Sequence, residues 1–421
     1  MKKLLILGGG TAGTMSANRL SSKLKDWQVT VIDRDDNHRY QPGFLFMPFG
    51  TYSPEQITKS RRETLNKKVN LVFGEIDRVN GEENKVTLTD GQVFDYDYLI
   101  IATGVAPRPD QTDGLAEGLT SNDAVHEFYS YEGSLALAEK LKNFKGGRVI
   151  LNIVEMPIKC PVAPLEFSFL ADDYFRSKGI RDKVTMTYAT PLGAAFTQPI
   201  AAQAFGATLE EKQITVEPDF MLMEVDNETN EIVSYDERRL PFDLLISVPV
   251  NMGQDFLSRS GLGNELNLVP VDKFTQISNK YNNVFALGDA NNIPASKAGS
   301  VAHFEVDVFV ENFMQHIAGQ KMTHRFDGHA NCFIETGGGK AMLIDFNYNV
   351  EPLPGKYPYP IVGPMSLLKK TRMNHLGKMA FRWMYWNILM PGRPMPVSAH
   401  MSLSGKETDL LDEQQLAKAA S

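Results

Sequence analysis

Apolar positions along this chain fall into short runs separated by amphipathic stretches. Residues 3–7 form a first apolar run, three glycines follow, and residues 11–24 carry helical spacing. A second run, 27–32, ends at Asp33, so the N-terminus predicts a β-α-β unit of about 30 residues. Further strands are predicted at 98–102, 148–154, 184–189, 242–248, 284–287 and 341–346, and a hairpin at 85–96 turning on Asp90-Gly91. Helices are predicted at 161–178 and 300–318. The proline-rich segment 357–364 marks a boundary, and residues 367–390 are again helical in character. The last dozen residues are polar and expected to be loosely held. Strands alternating with helices predict an α/β architecture built on parallel sheets.

Length and charge narrow this further. A chain of 421 residues exceeds one core and suits two or three domains. A net charge of −8 opposes nucleic-acid binding. The charge is uneven: residues 352–405 contain seven Lys or Arg and no acid. No apolar stretch reaches the ~18 residues of a membrane span. The start, MKKLLILGGG, lacks the long apolar run and cleavage site of a signal peptide, so none is expected. Two cysteines are too few for a zinc site or a disulfide scaffold, and no metal constellation emerges.

The glycines after the first run form Gly8-x-Gly10-x-x-Gly13, with Thr11 and Ala12 between them. They permit a tight turn, close backbone approach to a pyrophosphate, and tight helix packing. The helix N-terminus adds free N–H groups and partial positive charge. Asp33, 20 residues beyond Gly13, stands where a carboxylate can accept from ribose hydroxyls. Arg34 and Gln41 are assigned to the same site. The fingerprint alone fits FAD or NAD(P). Two later motifs, LIIATG ending at Thr103-Gly104 and VFALGDA containing Gly288-Asp289, follow in order. With the fingerprint they resemble the disulfide-reductase-like superfamily of two-dinucleotide flavoproteins, which implies FAD.

Such folds carry a second dinucleotide unit. It should begin at 148–154, but the sequence continues Glu155-Met156-Pro157-Ile158-Lys159-Cys160-Pro161 without the glycines. A nicotinamide is therefore not expected there, and electrons must enter by another route. Cys160 lies between strand and helix, where a helix N-terminus and Lys159 would lower a thiol pKa. It reads equally as a small buried apolar residue. Cys332 lies 172 positions away, and spacing alone does not pair the two.

The surroundings of these cysteines are more specific. Lys159-Cys160-Pro-Val-Ala163-Pro164-Leu-Glu166 and Phe326-Asp327-Gly328-His-Ala-Asn-Cys332 resemble the two cysteine motifs of sulfide:quinone oxidoreductases. Gly288-Asp289 through Lys297 resembles that family's flavin-proximal motif, and the likeness runs from Met1 to about Pro396. The resemblance implies that Cys160 and Cys332 form a redox-active bridge opened by hydrosulfide. Two electrons then pass to FAD and on to a membrane quinone, ubiquinone or menaquinone, while sulfur leaves as sulfane sulfur or polysulfide. Many members of the family this chain resembles have a third cysteine, through which the flavin is in some cases attached covalently. Here residues 121–128 contain none, so FAD is expected to be non-covalent. Lys297 is a candidate to approach the flavin, or a solvated lysine. Glu166 is a candidate proton acceptor, or a helix-start acid favoured by the macrodipole. His126, His303 and His329 read as structural.

Between 367 and 390, apolar residues, Trp383, Tyr385 and Trp386 interleave with Lys369, Lys370, Arg372, Lys378 and Arg382. A basic, aromatic, amphipathic helix suits a bilayer surface, and equally a buried face. Phe346, Phe381 and Tyr385 are assigned to quinone. The expected fold is α/β: two Rossmann-like dinucleotide-binding domains in tandem, then a C-terminal amphipathic-helix membrane-binding region. Residues 1–110 with 270–325 would bind FAD, 111–269 would form the second domain, and 326–421 the quinone- and membrane-binding region. A peripheral, monotopic homo-oligomer on an energy-transducing membrane is expected. NADH:quinone oxidoreductase and the flavin subunit of flavocytochrome c sulfide dehydrogenase are the alternatives.

Overall fold

The computed structural model describes residues 1–395 and 397–411. The tail expected to be loose lies, from residue 412 onward, outside the described residues. Three sheets carry the architecture. The first has five parallel strands in the order Val284–Ala286, Tyr98–Ile101, Lys2–Leu7, Trp27–Asp33, Asn70–Phe73. Its inner strands are apolar at nearly every position because helices and loops cover both faces. The strand Asn70–Phe73 escapes the hydropathy reading because it is short, lies at the edge and is only partly buried.

The late strand Val284–Ala286 completes this sheet from far along the chain. It brings with it the helix Gly299–Ile317, which packs on the helix Thr11–Lys23. Phe285 joins them, its ring 5.3 Å from Phe309 and 5.5 Å from Phe313.

A second five-stranded parallel sheet has the order Val125–His126, Leu244–Val248, Gly147–Ile153, Val184–Ala189, Ile214–Glu217. The helix Ala163–Ser177 packs against it and also against the third sheet. That sheet is four-stranded, in the order Ala330–Gly337, Lys340–Phe346, Met365–Leu367, Gly355–Tyr357.

The expected helix at 367–390 divides. Residues Met365–Leu367 form a strand, Arg372–Met384 an α-helix, and Tyr385–Leu389 a more widely wound turn. The α-helix is inverted relative to a simple amphipathic surface helix. Asn374 and Lys378 face inward, while Met373, Leu376, Ala380 and Trp383, spaced three or four apart, face outward. Tyr385 and Trp386, read from sequence as interfacial rings, are buried; of the three aromatics only Trp383 is exposed. No helix among the described residues is long and apolar enough to cross a membrane.

Truncating Phe285 empties the junction of the first sheet with its late helix. Phe285→Ala is expected to cost about 3–5 kcal/mol in denaturant unfolding. A loss below about 1 kcal/mol would show that this junction does not depend on the ring.

Candidate active site

The first sheet ends in a cleft of about 490 Å³. Gly8, Gly10, Thr11, Ala12, Asp33, Arg34, Gln41, Thr103, Gly104, Gly288 and Asp289 line it. The helix Thr11–Lys23 opens onto the cleft with no side-chain cap and no acid in its first turn. Its first N–H groups therefore remain available to an anion. A Cβ on Gly10 would meet nothing within 4 Å, so the cleft is open there. At Gly8, where φ is +93°, a Cβ would lie 2.5 Å from the Ala102 carbonyl oxygen. Asp33 is held at the strand end: it accepts from the N–H of Gly9 at 2.6 Å and of Arg34 at 2.7 Å, and pairs with Arg61 at 3.0 Å. An uncapped helix start, an open glycine and an acid at the second strand's end fit an adenine dinucleotide.

Two residues assigned to the cofactor sit elsewhere. Gly13 does not line the cleft. It lies behind it, where a Cβ would come within 1.8 Å of the Gly8 carbonyl oxygen, so it sets the approach of helix to strand. Lys297 is buried, neither solvated nor in the cleft. Its ammonium donates to the carbonyls of Asp289 at 2.9 Å and Asn291 at 2.8 Å, bracing the Gly288-Asp289 turn. Glu305, which sequence reading missed, braces the same turn by accepting from the Gly288 N–H at 2.6 Å and from Asn291 at 2.5 Å. Burial pushes its carboxyl up to about 8.

A second cavity of about 320 Å³ shares walls with the cleft, Gln41, Asp289, Gly299 and Phe381 among them. Cys160 and Cys332 both line it. Cys160 sits in the loop after the strand Gly147–Ile153, where Met156 and Pro157 replace the glycines of a dinucleotide turn. Its backbone is left-handed, φ +49°, and its N–H donates to the Lys297 carbonyl at 2.5 Å. Cys332 comes from the strand Ala330–Gly337, with the Ser300 hydroxyl 4.0 Å from its sulfur. Both thiols are free.

The expected lowering of the Cys160 pKa is not what the structure shows. Burial pushes Cys160 up to about 12 and Cys332 up to about 11. The helix starts only at Ala163, and Lys159 is itself shifted downward by burial, with its ammonium on Gln41 at 3.0 Å. Desolvation therefore outweighs both effects invoked from sequence. The cation that favours the thiolates is Lys378. It does not face a bilayer: its ammonium lies 2.8 Å from Glu166 and 2.9 Å from the Phe333 carbonyl. Glu166 is fully buried on the cavity wall, and burial raises its pKa against the pull of Lys378.

The three aromatics assigned to quinone separate. Phe381 lines the cysteine cavity. Phe346 does not; it is packed in the core of the third sheet. Tyr385 lines the dinucleotide cleft instead, its hydroxyl bonded to Thr11 at 2.8 Å and to His38 at 2.7 Å. His303, read as structural, lines the cysteine cavity with neither ring nitrogen hydrogen-bonded to a described residue, and burial lowers it to about 3. The missing hydrogen bonds leave no mark in a sequence, although Nε2 lies 3.7 Å from Asp307 one turn on. Lys378 does leave one: it recurs with Asn374, Phe381 and Tyr385 at helical spacing, on the inward stripe. No group of acidic, His and Cys side chains among the described residues could hold a metal ion.

Thiolate is the form that alkylates, so raised pKa values slow the reaction at ordinary pH. Iodoacetamide modification of Cys160 and Cys332 in the reduced, folded protein is expected to be slow at pH 8. It should climb about tenfold per pH unit through pH 10, whereas the denatured chain levels off near the ordinary value of about 8.5. A folded-state plateau near pH 9 would contradict the burial account.

Residues 2–149 match the family of pyridine nucleotide-disulphide oxidoreductases. A mitochondrial sulfide:quinone oxidoreductase of Dictyostelium discoideum is 29% identical over 93% of this chain and 86% of its own. That of Mus musculus is 27% identical over the same shares, 93% and 86%. The crystal structure of the sulfide:quinone oxidoreductase of Aquifex aeolicus superposes with a TM-score of 0.80 at 19% identity, covering 93% of this chain and 92% of that one. A type II NADH:quinone oxidoreductase of Staphylococcus epidermidis, 30% identical, aligns with only 28% of this chain. The chain has the α/β fold of the pyridine nucleotide-disulphide oxidoreductases and is similar, along nine-tenths of its length, to sulfide:quinone oxidoreductases.

Proposed function

We propose that this protein oxidises sulfide at the Cys160/Cys332 pair and passes the electrons through FAD to a membrane quinone. The observation that carries this reading is the joint placement of both cysteines in one cavity that adjoins the dinucleotide cleft. Residues 1–110 with 270–325 would hold FAD, through the Gly8–Gly10 turn, the N–H groups of Thr11 and Ala12, Asp33, Thr103-Gly104 and Gly288-Asp289. Residues 111–269 would form a second dinucleotide-type domain whose turn supplies Cys160 in place of a nicotinamide site. Bound in the cleft, FAD supplies a two-electron acceptor for the cysteines and a donor for the quinone.

The chain's own residues handle sulfur and protons. Hydrosulfide attacks the bridged Cys160–Cys332 sulfurs: one S–S bond forms as the other breaks, leaving a persulfide on one cysteine and a thiolate on the other. In a cavity that otherwise disfavours a thiolate, Lys378 stabilises it. Glu166, on the same wall and inclined to hold a proton, is the base for the sulfide proton. The overall balance is HS⁻ + quinone + H⁺ → S⁰ + quinol.

The same cavity suits a quinone ring. Phe381, Tyr357, Met384, Met395 and Val397 contribute apolar lining, and all come from the 326–421 region. Met373, Leu376 and Trp383 are 45%, 59% and 62% exposed on the outer stripe of the helix Arg372–Met384, and Ile361 and Val362 are 91% and 78% exposed. Apolar residues turned outward, flanked by Lys369 and Arg372, support peripheral binding to a membrane surface.

Three outcomes follow. Under anaerobic conditions sulfide should bleach the flavin and NADH should not, and Cys160→Ala or Cys332→Ala should block the sulfide-driven bleach; bleaching by NADH alone would favour an NADH:quinone oxidoreductase. Acid denaturation should release all of the flavin from the polypeptide, and colour retained on the chain would rule out non-covalent binding. Replacing Leu376 and Trp383 with Glu should reduce co-sedimentation with liposomes while the flavin stays bound; unchanged sedimentation would remove the membrane assignment of this stripe.

A further inference from the structure

One carboxyl–imidazole contact has no part in the mechanism above. Glu335 lies on the strand Ala330–Gly337, and its carboxylate oxygens are each 2.9 Å from Nδ1 of His375. Strand alternation puts Phe333 and Glu335 on one face, the face on which the helix Arg372–Met384 packs. His375 and Lys378, three residues apart, share one side of that helix. Lys378 reaches the Phe333 carbonyl, and the Glu335 N–H donates to Glu166 at 2.9 Å. Side-chain exposure falls from 30% at His375 to 3% at Glu335 and 0% at Glu166. His375, Glu335 and Glu166 thus grade from the surface to the wall of the cysteine cavity, with the Lys378 side chain, 12% exposed, beside Glu166.

A packing role alone accounts poorly for this arrangement. A buried carboxylate beside a half-buried imidazole is a costly way to fill a helix–sheet contact that apolar side chains would fill as well. Chemistry gives it a use. The proposed reaction takes one net proton from solvent per turnover, and Glu166, on the wall of the cysteine cavity, is itself fully buried. We propose that Glu335 and His375 are the route by which protons pass between solvent and the Glu166–Lys378 pair. This rests on the functional reading above.

Electrostatics support the assignment. Burial, with the charge of Glu166 adding to it, pushes the Glu335 carboxyl up to about 7, against the lowering influence of His375 and Lys378. Glu335 therefore gains and loses a proton near neutrality. The titratable groups that face it are Glu166 from the helix Ala163–Ser177, His375 and Lys378 from the helix Arg372–Met384, and Tyr52, over whose ring Arg382 lies. Imidazole takes a proton on one nitrogen and releases it from the other. Nδ1 of His375 faces Glu335, and Nε2 bonds to no described residue.

The test uses the flavin-loaded full-length protein, sulfide and a short-chain ubiquinone analogue. Flavin bleaching by sulfide and steady-state quinone reduction are followed separately between pH 6 and 9. His375→Ala and Glu335→Gln should still bleach with sulfide. Their quinone reduction should fall roughly tenfold at pH 8 and by less at pH 6, and added imidazole should restore His375→Ala but not Glu335→Gln. Quinone reduction within about twofold of the parent protein across this range would overturn the proposal. So would a loss that is equal at every pH and indifferent to imidazole. If Glu335→Gln loses its flavin, the pH profile and imidazole response of His375→Ala decide alone. A parent protein whose flavin sulfide does not bleach would overturn the functional reading and this inference with it.

Discussion

The hydrogen bond from the Cys160 N–H to the Lys297 carbonyl fixes the Cys160 loop relative to the dinucleotide cleft. It ties a loop of the second sheet to the Gly288–Gly299 segment of the first. Lys297 then ties itself to that segment through the carbonyls of Asp289 and Asn291. Holding Cys160 in a left-handed conformation costs about 1–2 kcal/mol, comparable to what one buried hydrogen bond returns. A GxGxxG turn would present backbone N–H groups to a pyrophosphate at this point. The Met156–Pro161 loop presents a thiol instead.

The ionisable groups of the cavity are governed by their burial. Desolvation sets the baseline: it raises both thiols and Glu166 and lowers His303. Against that background Lys378 matters because it is the cation that eases ionisation of both cysteines, and it keeps its charge by pairing with Glu166. The helix that carries Lys378 inward carries Met373, Leu376 and Trp383 outward. One element thus supplies the cation that favours both thiolates and the apolar stripe that would meet a bilayer. Removing it to test membrane binding would also dismantle the cysteine cavity.

Much of the first sheet was legible because its inner strands are buried on both faces and so read as apolar runs, two of them followed by glycine and one by Asp33. The cysteines were legible through their motifs, and the missing second glycine loop through plain absence. Edge strands such as Ile214–Glu217 and Val125–His126 were not, being short and held by pairing more than by hydropathy. The direction of the Cys160 pKa was misread because sequence displays the neighbouring Lys159 and a coming helix but not the depth of burial. Lys378 was counted with the surface cations for a similar reason: its partner Glu166 lies 212 positions away. Phe346 and Tyr385 have the right chemistry for a ring site, yet strand pairing and a bond to Thr11 take them elsewhere.

In the proposed function, sulfur enters at Cys160 or Cys332 and its electrons reach the bound flavin. An anaerobic titration of the flavin-loaded protein with isotopically labelled sulfide, followed by mass analysis of the cysteine peptides, tests it most directly. Complete bleaching at one sulfide per flavin is expected, with labelled sulfur retained on one of these two residues. Bleaching that leaves no labelled sulfur on either cysteine, or no bleaching at all, would contradict it.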